Sequence, residues 1–166
     1  MAVTLYGAQL DKATSADSNA QYDVIGKTSE VIAAGDVLSM VSGVLLVTAA
    51  ATQAVAGVAI TPSTAAQNDA TKYIGFIPAD ENYTWLMGTN SDLTDNKTDY
   101  GTFYGITGAT GAQQVNVSGS VTTTTSRQVM IVKVDPFKIG GSGAGSGLRQ
   151  VLVKFIRTPE FNGAFN

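Results

Sequence analysis

The stretch Val31–Pro62, VIAAGDVLSMVSGVLLVTAAATQAVAGVAITP, decides the reading of this chain, because its turn residues and apolar runs fit together. It reads as three strands with two tight connections. The Ala34-Gly35-Asp36 turn breaks the first apolar run, and Val37-Leu38 opens the next. Ser42-Gly43 turns the chain again. Val44-Leu45-Leu46-Val47 is too short and too β-branched to prefer a helix, so it is expected as a buried strand. Ala49 to Gln53 holds three consecutive alanines, but about five residues cannot nucleate a helix alone, so a loop or single turn is expected there. Val55 to Ile60 closes the unit, with Pro62 as its stop.

Working outward, Tyr22 to Ile32 carries Tyr22, Val24 and Ile32 with polar residues between, and Gly26 interrupts it where a bulge fits. Residues 1–21 begin with Val3-Thr4-Leu5-Tyr6 and turn polar from Asp11 to Asn19, which reads as an N-terminal arm. On the other side, strands are expected at Tyr73 to Ile77, Tyr83 to Met87, Tyr100 to Ile106, around Val115 and Val117, at Gln128 to Val134 and at Val151 to Ile156. Thr122 to Thr125 suits an exposed strand or its edge. Gly140 to Gly147, GGSGAGSG, reads as a flexible hairpin tip or linker. The expectation is therefore an all-β chain: an arm over 1–21, then one β-rich domain over 22–166 with a flexible loop at 140–147.

With 166 residues the chain suits one domain, which buries roughly 70% of the surface its unfolded chain exposes. Only 14% of residues are charged, against a globular norm of about 25%, so part of the surface is expected to be covered by partner chains. Cysteine and histidine are both absent, which removes thiolate nucleophiles, imidazole bases and the usual zinc ligands. Met1 to Leu10 lacks a basic n-region and an apolar h-region, so no signal peptide is expected, and no apolar run is long enough for a membrane helix. Residues 1–100 hold eleven acids and four bases, a balance of −7; residues 101–166 hold six bases and two acids, +4; the sum is the net −3. The bases Arg127, Lys133, Lys138, Arg149, Lys154 and Arg157 alternate with Val, Ile and Phe, so they read as the solvent or interface face of a sheet rather than a nucleic-acid surface.

The motifs that resemble chemistry have plainer readings. Gly26-Lys27-Thr28 lacks the earlier glycine of a phosphate-binding loop, since Gln21 stands there. Asp36 follows a glycine, the position where an Asp bonds its own backbone in a turn. Asp80-Glu81 are adjacent, so on a strand they point to opposite faces and cannot flank one bond. Asn90 to Asp99, NSDLTDNKTD, is rich in oxygen ligands but lacks the spacing of a calcium loop and contains Lys97, so an Asx-rich hairpin loop is expected. No metal or other cofactor is expected.

The AGD turn, the small-residue strand, the Ala-rich connection and the AVAGVA strand together resemble the β-clip or β-tulip domains of phage head decoration proteins, over Val31 to Ile77. The resemblance implies a compact β-barrel or β-tulip-like domain with an extended arm and long loops. It also implies a non-enzymatic protein made in the host cytoplasm that sits on the capsid exterior. The implied partners are the major capsid protein and further copies of the chain, usually as a trimer, without direct nucleic-acid or membrane contact. Contacts are expected from Val3, Leu5 and Tyr6 in the arm, Arg149 in the basic run, and Phe161 and Phe165 in the tail. Two other classes compete. A carbohydrate- or receptor-binding module of a tail fibre would use Tyr83, Trp85, Tyr100, Phe103 and Tyr104 as a stacking platform, and a hydrolase would use Asp36, Asp80 or Glu81.

Overall fold

Short runs of Val, Ile and aromatic residues, broken by Gly, Asp and Pro, leave the chain no helical period, and strands are what form. The computed structural model describes residues 7–13, 22–25, 30–42, 44–49, 52–63, 73–80, 83–91, 93, 99–119, 126–134 and 150–156. Its strands are β1 (Ala8–Ala13), β2 (Tyr22–Ile25), β3 (Val37–Val41), β4 (Val44–Val47), β5 (Val55–Ala59), β6 (Tyr73–Pro78), β7 (Tyr83–Gly88), β8 (Phe103–Thr107), β9 (Gln114–Asn116), β10 (Val129–Val134) and β11 (Gln150–Phe155). No α-helix occurs among the described residues, so none there is long and apolar enough to cross a membrane.

The strands form two sheets, one in the order β1-β7-β11-β10-β8-β9 and one in the order β2-β6-β5-β3-β4, with antiparallel neighbours throughout. Both are curled into half-barrels, so the chain is all-β and barrel-like, as its sequence implies. In the larger sheet, Thr89 bridges to Val115, bringing the end of β7 against β9. In the smaller sheet, β2 approaches β4 across the curl.

Curling gives the smaller sheet two apolar faces. Val37, Val55 and Val58 join Trp85, Ile131, Val153 and Phe155 of the larger sheet in the main core. Leu38, Leu45, Ala59, Ile74 and Phe76 form a second, separate cluster. A bulge makes this possible in β5: Leu38 pairs with Gly57 and Ser39 with Val55, leaving Ala56 extra. Gly57 itself lies so close to the Phe76 ring and the Ile77 carbonyl that no Cβ fits.

Val31–Pro62 folds largely as expected. Val41 pairs with Val44 across a two-residue hairpin, with Ser42 at φ 52, in the left-handed region such hairpins require. Val31 to Ala33 differ, being no strand: Ile32 makes an isolated two-way bridge with Ser63. Among the described residues of the run Tyr22 to Ile32, strand is formed at Tyr22–Ile25. Within residues 1–21, Ala8–Ala13 is an edge strand of the larger sheet, paired with β7, and Ala8 is buried. The other expectations at Thr122 to Thr125 and Gly140 to Gly147 lie outside the described residues.

Candidate interaction surface

The two half-barrels meet along a seam of buried polar side chains. Gly35, at φ 91, allows the turn to tighten, and the Asp36 carboxylate folds back to accept the Ala33 N–H at 2.8 Å. Its second oxygen accepts the Gly111 N–H at 2.7 Å, seating the β8–β9 loop. Burial pushes the Asp36 pKa above the ordinary carboxylate value, against the opposing pull of these two donors. Gln113, fully buried, accepts the Val37 N–H and donates to Val37 O at 3.2 Å and Thr48 O at 2.9 Å. Gln128 accepts the Ile106 N–H at 2.8 Å and donates to Gln53 O at 2.8 Å, tying β8 to the β4–β5 connection. Ser39 and Thr48 share a buried hydroxyl contact at 2.8 Å. Every one of these groups is spent on the backbone or on a neighbour, which fixes how the sheets sit together.

On the outward face of the larger sheet the register builds a surface of a different kind. Met130 pairs with Phe103 on one side and with Lys154 on the other. The adjoining row runs from Lys133 through Leu152 and Leu86 to the Gln9 position. Alternation explains the pattern: Val129, Ile131, Val153, Phe155 and Trp85 point inward, so Met130, Lys154, Leu152 and Leu86 point out and are half-buried. A bulge at Val132 leaves both Val132 and Lys133 exposed. The Arg127 guanidinium lies over the Phe103 ring, 4.4 Å from its centroid. The result is an apolar strip edged by Arg127, Lys133 and Lys154, with no acid in either row. Lys133 and Lys154 stand on the outward face of the sheet, in keeping with the reading of the basic run as a solvent or interface face, and Arg127 lies just before β10.

The other expected sites fare differently. Val3, Leu5, Tyr6, Arg149, Phe161 and Phe165 lie outside the described residues. The five-aromatic stacking platform is not assembled: Tyr83, Trp85 and Tyr104 are core residues, and Trp85 packs on Phe155 at 5.5 Å and edge-on to Tyr83 at 6.3 Å. The strand alternation that buries Val129 and Ile131 also turns these rings inward. Only Tyr100 is exposed, while Phe103 sits half-buried under Arg127. Tyr104 donates its hydroxyl to Asp99 at 3.0 Å, and burial, helped by this bond, pushes its pKa up to about 12. Asp80 closes a turn, its carbonyl accepting the Tyr83 N–H at 3.0 Å. Within the Asx-rich stretch, Asn90 is committed to Val117 N and Asn116, and no acidic cluster suited to a metal occurs among the described residues. Gln113 and Gln128 were invisible to sequence reasoning, since an amide carries no periodic signal. No protein-family model, curated protein or solved structure matches this chain.

Proposed function

We propose that this chain is a non-enzymatic structural protein that binds the exterior of an assembled phage capsid and stabilises it. On this reading it acts as a decoration or cement protein, self-associated, with three copies as the number the sequence resemblance implies. Its partners are the major capsid protein and its own copies, on the virion exterior. The observation that carries the reading is the commitment of the Val31–Pro62 unit to scaffolding. Both oxygens of Asp36, the acid at its turn, are held by backbone N–H groups, and the strands around it serve two apolar cores. The charge-poor composition and the apolar strip on the outer sheet add support, since both suit a protein that works by covering and being covered. Cosedimentation with purified phage heads stripped of accessory proteins tests it. Saturable binding that raises the temperature at which the heads release DNA is expected; a chain that stays in the supernatant across salt conditions would overturn the reading.

A further inference from the structure

The last described residue, Ile156, leaves β11 on the face that carries the apolar strip. Val151, Val153 and Phe155 point into the main core, so Leu152, Lys154 and Ile156 point out, and Ile156 is 41% exposed. Gln150, at the other end of β11, shares that face by the same alternation. It stands beside Gly88, which has no side chain to shield it, yet it is 7% exposed and its Oε1 is buried without a hydrogen-bond partner. A cover that brings a donor answers both observations.

Residues 157–166, RTPEFNGAFN, follow Ile156 directly. We propose that this segment folds back over the strip of its own chain, seating Phe161 and Phe165 on Leu152, Leu86 and Met130. Length permits it. Pro159 favours a reversal, and the residues from Glu160 to Asn166 span about 23 Å at about 3.3 Å each, against about 13 Å along β11 from Lys154 to Gln150. Phe161 and Phe165 are four positions apart, so an extended segment presents both to one side. Charge agrees, since Glu160 is the acid of the segment and the strip is edged by Arg127, Lys133 and Lys154. Attachment through the few residues after Ile156 holds the segment at an effective concentration on the order of millimolar, so it fills its own strip ahead of another copy's at micromolar concentration. The inference is independent of the capsid reading, and it turns Phe161 and Phe165 onto the chain's own sheet instead of a neighbour.

The chain has no cysteine, so paired cysteines in the full-length chain test the placement. Leu152→Cys/Phe161→Cys is expected to close an intramolecular disulfide under mild oxidation at least tenfold faster than Val41→Cys/Phe161→Cys, whose first site is on the hairpin of the smaller sheet. Met130→Cys/Phe161→Cys gives the same reading if substitution at Leu152 disturbs the fold. The product should run at the monomer mass of 17.1 kDa. Dye binding reads the cover without cysteines: Phe161→Ser/Phe165→Ser should raise anilinonaphthalene sulfonate fluorescence at least threefold with circular dichroism unchanged, and adding Leu152→Gln should bring it back down. Equal closure rates in the strip and control pairs, or dye binding unmoved by the serine substitutions, would overturn the proposal. A disulfide-linked dimer in place of the closed monomer would put the segment on a second copy, and overturns it as well.

Discussion

The Asp36 carboxylate receives the backbone N–H of Gly111 at 2.7 Å, a contact between residues 75 positions apart. The same side chain holds the N–H of Ala33 in its own turn at 2.8 Å. One residue thus shapes the turn that opens β3 and locks the β8–β9 loop onto it. Asp36→Ala leaves two N–H groups without their acceptor, each worth about 1–3 kcal/mol when desolvated. A loss of about 2–4 kcal/mol in urea unfolding is expected on that basis. A change below about 0.5 kcal/mol would mean that water replaces the carboxylate and the lock is dispensable.

Gln113 offers a sharper test, because exchange of a single group reverses its chemistry. Its Nε2 donates to the carbonyls of Val37 and Thr48, so Gln113→Glu sets an acceptor against two acceptors while keeping the shape. Ionisation inside the seam is also opposed by burial, which raises the folded pKa of the new carboxyl. A raised folded pKa means stability that is present in acid and lost as pH rises through that value. Gln113→Glu is therefore expected to be folded near pH 4 and several kcal/mol less stable than wild type at pH 8. Equal loss at both pH values would show that the amide donors do not matter.

How much of this was legible in the sequence differs from residue to residue. Val37 faces the main core while Leu38, Leu45 and Val47 face the second cluster, but their apolar runs and the flanking turns sufficed to place strands. Asp36 was legible as a turn residue because its Ala33 bond is local, whereas its Gly111 bond depends on topology that no short pattern encodes. β1 was missed because Ala8–Ala13, AQLDKA, is polar and has a register shift between Leu10 and Lys12, which spoils any period of two. For Trp85, spacing put it on one face with Tyr83 and Met87, but only the packed sheets decide that this face is the inner one.

Trp85 consequently supplies a direct check on the sugar-platform reading. Its ring is 1% exposed and wedged between Tyr83 and Phe155. Emission should be blue-shifted, resist acrylamide quenching, and remain unchanged with added oligosaccharides. Trp85→Ala should cost about 3–5 kcal/mol as the main core loses its largest side chain. Saturable quenching by a glycan would show that the aromatic cluster opens to ligand after all.

The last expectation concerns alkaline pH and Tyr104. Burial first, and the Asp99 bond second, push its pKa to about 12 from the ordinary 10.0. The folded state thus favours the neutral phenol. A raised folded value means that the stabilisation is fully present below the unfolded pKa and is lost as pH climbs from about 10 through about 12. Tyr104→Phe removes the titrating group along with the Asp99 bond, so it should be less stable at neutral pH but lack this alkaline decline. Phenolate absorbance provides the measurement. Tyr104 should ionise late, together with unfolding, and its contribution to that late phase should be lost in Tyr104→Phe. All six tyrosines ionising together below pH 11 with the fold intact would contradict the buried Tyr104–Asp99 bond.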